Sequence, residues 1–138
     1  MDQAEVDAAL FTALMTGLAH MADKRLGEPL GTFDRPRPLR AELHRSDQSM
    51  PMVIAALEAL RDLAATLADA SDTDAAFVRA LEAAARIETP DLSQVADPGG
   101  RLRVETLQTA VNAIRRAADR EIGGGLGVVQ GFNAADGD

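Results

Sequence analysis

Apolar residues return at intervals of three and four along four stretches of this chain, and nowhere do they keep up the alternation a strand requires. In the first stretch Val6, Leu10, Leu14, Leu18 and Met21 share one helical face, with Ala13, Gly17 and Ala22 beside them. The second, from Ser49 to Ala70, carries Val53, Ala56, Leu57, Leu60, Ala64 and Leu67. The third turns Phe77, Leu81, Ala84 and Ala85 inward and stops before Pro90. The fourth spans Arg101 to Ile122, with Leu107, Val111, Ile114 and Ala118 at i, i+4, i+7 and i+11. Apolar stripes of this kind are stable only when buried, and four helices can bury one another. The expected fold is all-α: one domain over residues 1–138, an antiparallel up-and-down four-helix bundle. Leu14, Leu57, Leu81, Leu107 and Ile114 are expected in its core.

Glycine and proline punctuate these stretches. Gly27, Pro29 and Gly31 predict that the first helix stops near Gly27, and Gly123, Gly124 and Gly125 mark the end of the fourth. Pro51 suits a first turn, where its missing N–H has no partner to lose. SDTD at 71–74 offers a turn and an N-cap. Between the first two helices, EPLGTFDRPRPLRAELHRSDQS has three prolines and no clean period. It reads as a long ordered loop with one short helical turn around Leu39 to Leu43. TPDLSQVADPGG is a second loop.

Composition narrows the possible functions. Aromatic residues are only 3%, without Trp or Tyr, so the core is built from Leu, Val, Ile, Met and Ala, which suits closely packed helices. A net charge of −8 argues against a nucleic-acid partner, because nothing could neutralise a run of phosphates. The absence of cysteine excludes disulfides and thiolate metal sites. MDQAEVDAALF has neither the basic region nor the apolar core of a signal peptide, and no apolar run is long enough to span a membrane.

The local motifs point to no reaction. GGGLG follows a helix instead of preceding one, and position 128 is Val where a dinucleotide fingerprint needs its third glycine. It is a helix stop and a flexible turn. His20 with Asp23, and His44 with Asp47, each read His-x-x-Asp, a spacing that puts two metal donors on one side of a helix. Two ligands do not make a site, and His-Glu-x-x-His is absent. In RSDQS, Asp47 or Ser49 can accept hydrogen bonds from the first amides of the second helix, and Arg45 can pair with a carboxylate or a carbonyl. No serine has a Ser-x-x-Lys or Gly-x-Ser-x-Gly setting. GFNAADGD lacks the alternating ligands and closing Glu of a calcium loop. Its glycines and its Asn133 and Asp136 instead suit tight turns, with Phe132 as an apolar anchor, so the tail is expected to dock on the bundle.

Three pieces in order carry a resemblance: ADKRLGEPLG at 22–31, RPRPLRAELHRSDQSMPMVIAALEAL at 36–60 and LGVVQGFNAADGD at 126–138. Together they resemble the C-terminal half of the imelysin family, which has a similar helix end, an Arg-Ser-x-x-Ser turn entering a helix, and a terminal Gly-Phe-Asn…Asp-Gly-Asp. The resemblance implies a bacterial envelope or periplasmic protein, built as two helical bundles and associated with iron acquisition. The family was historically classed as metallopeptidases, with a Gly-x-His-x-x-Glu motif in the N-terminal half. His20 sits instead in GLAHMAD, and the turn has Asp47 and Gln48 where the family usually has Gly and Arg. By resemblance, Arg45, Ser46, Ser49, Asn133, Asp136 and Asp138 are interface residues or supports near the junction of the two bundles. His44, His20 and Asp23 are the metal-ligand candidates; no residue is assigned a catalytic or cofactor-binding role. The implied function is a binding module, with an N-terminal imelysin-like bundle or a second copy as partner and iron arising only in the whole-family context. The alternatives are one half of a metal-dependent peptidase and a structural bundle without a site.

Overall fold

Two long helical runs, residues 3–30 and 98–126, frame the protein, and each is interrupted by one stretch of π-helix. The computed structural model describes residues 2–41 and 48–127. The first run comprises α1 (Gln3–His20), a π segment at Met21–Leu26 and α2 (Gly27–Leu30). Then come α3 (Ser49–Leu67), α4 (Ser71–Ala85) and α5 (Pro98–Ala118), which a π segment at Asp119–Gly123 extends into α6 (Gly124–Leu126). Short 3-10 turns occupy Pro38–Arg40 and Ser93–Ala96. The described residues are predominantly helical and contain one isolated bridge, Thr32 with Arg35, instead of a sheet.

Side-chain caps set two of the helix starts. The Asp2 carboxylate accepts the Glu5 amide at 2.9 Å ahead of α1, and Asp97 accepts the Gly100 amide at 3.0 Å ahead of α5. The second cap, with Pro98 in the first turn, starts α5 three residues before the expected Arg101.

The first run does not stop at Gly27. It continues to Leu30 and ends at Gly31, whose φ of 54° favours glycine. Gly27 is needed for a close approach: the Gln108 amide donates to the Ala22 carbonyl at 2.9 Å, and a Cβ on Gly27 would lie 3.4 Å from that nitrogen and 3.0 Å from that oxygen. Burial of Leu26 and Leu30 repays the extension. At the other end, Gly123, Gly124 and Gly125 are helical, and the stop falls at Gly127 with φ 71°. Likewise SDTD is the first turn of α4 and not a turn ahead of it, and α3 ends at Leu67.

α1 packs against α3 and α5, and α4 packs against the same two. Phe11, Leu14, Leu18, Leu57, Phe77, Leu107 and Ile114 are fully buried between them. A Cβ on Gly17 would come within 2.8 Å of Leu60, which marks how closely α1 approaches α3. Leu81 departs from expectation. It is half-buried at the edge, because Phe77, Ala80 and Ala84 take the central face of α4. The loop after α2 is held by its own backbone: the Arg37 amide donates to the Pro29 carbonyl at 2.7 Å. A helical turn does form, at Pro38–Arg40. The tail expected to dock lies outside the described residues beyond Gly127.

Candidate functional site

One end of the body gathers the end of α2, the loop from Gly31 to Ala41, the start of α3 and the start of α5. Its organiser is Arg101, which is only 6% exposed. The Arg101 Nη1 donates to the Leu30 carbonyl at 2.6 Å, Nε lies 3.6 Å from Glu105, and the guanidinium sits 5.7 Å from the Phe33 ring centroid. A cation on the last carbonyl of a helix meets the negative end of its dipole. Phe33 is 70% exposed, and Leu102 beside Arg101 is also exposed. Arg35, Arg37 and Arg40 follow, all exposed, and with Pro36 and Pro38 they line a shallow hollow. None of these three arginines forms an ion pair among the described residues. The arrangement can hold an anionic, partly apolar surface; among its described residues no nucleophile is seen beside a base.

The imelysin family model matches residues 2–118. The chain belongs to the imelysin family. The match takes in the stretches at 22–31 and 36–60 and ends before the Gly-Phe-Asn tail. No curated protein and no solved structure matches the chain.

Within this imelysin chain the candidate residues fall in separate places. His20 is exposed on the last turn of α1, and Asp23 lies on the following π segment with Arg115 Nη1 at 3.8 Å. Among the described residues no group of three or more His, Cys, Asp or Glu is placed to hold a metal ion. Ser49 is buried and is the first residue of α3, with Gln48 in the cap position, so the expected cap from Ser49 is not where the helix begins. Met50 fastens this start by donating its amide to the Pro90 carbonyl at 2.7 Å. His44, Arg45, Ser46, Asp47, Asn133, Asp136 and Asp138 lie outside the described residues. Of their described neighbours in sequence, Gln48 precedes α3 and Gly127 follows α6.

Sequence reasoning missed Phe33, Arg101 and Glu121. Phe33 reads as a core residue by type, and Arg101 as a solvated charge at a helix start. The Asp97-Pro98 pair was the available signal that α5 begins early enough to bring Arg101 under the loop. Glu121 had no local signal. It binds the Asp72 and Thr73 amides from the far end of the chain, and those bonds, the Thr73 hydroxyl first, hold its carboxyl below the usual carboxylate range. Asp74 is lowered in the same direction by its paired hydrogen bonds with Arg61, at 2.6 and 2.9 Å.

Proposed function

We propose that this imelysin-family chain is a binding module of bacterial envelope iron acquisition, working through the end that carries Phe33 and the exposed Arg35, Arg37 and Arg40. The observation that carries the reading is the exposed Phe33 ring over the buried Arg101 guanidinium. An aromatic ring that is mostly in water, stacked with a buried cation and followed by three exposed arginines in the same loop, has the residue types enriched at interface centres. The partner is an N-terminal imelysin-like bundle, in the same or a separate polypeptide, with a second copy as the alternative. Ser49 supports this end from beneath, and Arg45 and Ser46 belong to the segment that leads into it.

The helices form an antiparallel up-and-down bundle on this reading. Two pairings support it: Gly17 meets Leu60, and Arg25 donates to the Met52 carbonyl at 3.4 Å, so rising positions in the first helical run meet falling positions in α3. On this reading the chain works in the periplasm or cell envelope; among the described residues no helix is long and apolar enough to cross a membrane. A peptidase role would place the metal and general base in the other half of the family architecture.

Light scattering of the chain mixed with an imelysin-type N-terminal bundle tests the reading. A one-to-one complex is expected, lost when Arg35, Arg37 and Arg40 are all changed to Glu. No complex at protein concentrations of about 10 μM would reject it.

A further inference from the structure

The hollow lined by Arg35, Pro36, Arg37, Pro38 and Arg40 has a volume of about 520 Å³. Among the described residues that line it, no side chain carries a hydrogen-bond acceptor. The loop from 31 to 41 does contain one carboxylate, Asp34, which is exposed, stands outside the lining and pairs with none of the three arginines. Other surface arginines differ in this respect: Arg61 is held by both oxygens of Asp74, and Arg120 reaches Asp72 at 3.5 Å.

The backbone of the loop is fixed while its three guanidiniums stay available. The Arg35 amide donates to the Thr32 carbonyl and hydroxyl, both at 3.1 Å. The Arg37 amide donates to the Pro29 carbonyl at 2.7 Å, and the Arg40 amide to the Arg37 carbonyl at 2.9 Å. Pro36 and Pro38 stiffen the positions between them. At the base, Arg101 ties the Leu30 carbonyl to α5 and lies against the Phe33 ring. Two residues of chain span at most about 7 Å, so Arg35 and Arg37 stand close together, and the 3-10 turn keeps Arg40 beside Arg37. All three side chains can reach one small ligand.

The chemistry of the hollow selects that ligand. A guanidinium is a planar fork of donors that matches the oxygens of a phosphate two at a time. One exposed ion pair contributes little and is screened by salt, so a singly charged group would be held too weakly. We propose that this loop is a phosphate-binding site, in which Arg35, Arg37 and Arg40 converge on one multiply charged phosphate group, free or carried as a lipid headgroup. Phe33 and Leu102, both exposed at the same end, would meet the apolar body of a lipid. The site belongs to this chain alone and does not rest on the protein partner proposed above.

Titration of the isotope-labelled chain with sodium pyrophosphate at constant ionic strength reads the site. The amide signals between Thr32 and Ala41 are expected to move together and saturate with a Kd below about 1 mM. Changing Arg35, Arg37 and Arg40 together to Gln should weaken binding by about tenfold or more, and changing them to Lys should weaken it less. Arg79→Gln with Arg116→Gln, on the α4–α5 face, should leave it unchanged. Sedimentation with phosphatidylcholine vesicles containing about one-fifth phosphatidic acid separates the two sources. Vesicle binding abolished by Phe33→Ser with Leu102→Ser assigns a lipid headgroup; a chain that ignores the vesicles and still binds pyrophosphate assigns a free phosphate, and either result upholds the site. No saturation up to about 10 mM, signals moving at every exposed arginine, or equal affinity in the Gln variant would overturn it. A complex with the N-terminal bundle, formed by a chain whose loop signals ignore pyrophosphate, would also overturn the phosphate site while leaving the interface standing.

Discussion

Glu121 caps the helix that begins beside Thr73, 48 positions earlier in the chain. Its Oε1 accepts the Thr73 amide at 2.5 Å and the Thr73 hydroxyl at 2.6 Å, while Oε2 accepts the Asp72 amide at 3.1 Å. The position that should carry a local cap is Ala70, which has no side-chain oxygen. One carboxylate from the π segment after α5 therefore ties the first turn of α4 to the far end of the chain, and also meets the positive end of the α4 dipole.

Removing that cap is expected to cost about 1–2 kcal/mol in Glu121→Ala, the range for a lost N-cap. Because the folded carboxyl is held low, its contribution is fully present above the unfolded pKa of about 4.3 and is lost as pH falls through the lower folded value. Urea unfolding of wild type and Glu121→Gln across that acid range checks this. The wild type should lose more stability on acidification than the variant, and parallel curves would contradict the cap.

The glycines are expected to separate by sign. Gly31→Ala meets both a left-handed backbone and the Arg35 carbonyl, and should destabilise by about 1–3 kcal/mol. Gly124 and Gly125 are helical, and a Cβ on either would meet nothing within 4 Å. Alanine at each should stabilise by up to about 1 kcal/mol. Thermal melts of the single variants decide; a stabilising Gly31→Ala or a destabilising Gly124→Ala would show that the helix ends are misassigned.

Leu57 and Leu107 are fully buried, and replacing either with Ala should cost about 2–5 kcal/mol. Leu81→Ala should cost clearly less, about 1–2 kcal/mol, since part of its side chain already faces water. Guanidinium unfolding of the three variants measures the order, and equal losses would mean that α4 is rotated from the position described.

Ferrous, ferric and zinc ions are expected to bind the chain only weakly. A tight site needs three or four converging donors, and Asp23 already faces Arg115. Calorimetric titration provides the check: stoichiometric binding below about a micromolar, abolished by His44→Ala, would make the loop before α3 a metal site and revive the hydrolase reading.

The helical class and most of the core were legible in the sequence because helical periodicity is written between near neighbours. Leu14, Leu57, Leu107 and Ile114 fall at the spacing that puts them on one face, and all four are fully buried. The start of α3 at Ser49 followed from the same local evidence. Where helices end was decided elsewhere. A glycine in a helix costs only about 1 kcal/mol, less than is gained by burying Leu26 and Leu30 past Gly27, so packing overruled the local stop. The candidate site divided in the same way. Arg35, Arg37 and Arg40 can be read from the chain as a basic loop, but the burial of Arg101, the exposure of Phe33 and the cap supplied by Glu121 cannot. Each depends on a contact between segments dozens of residues apart, and a hydrogen bond or a close approach of that kind exists only once the helices have packed.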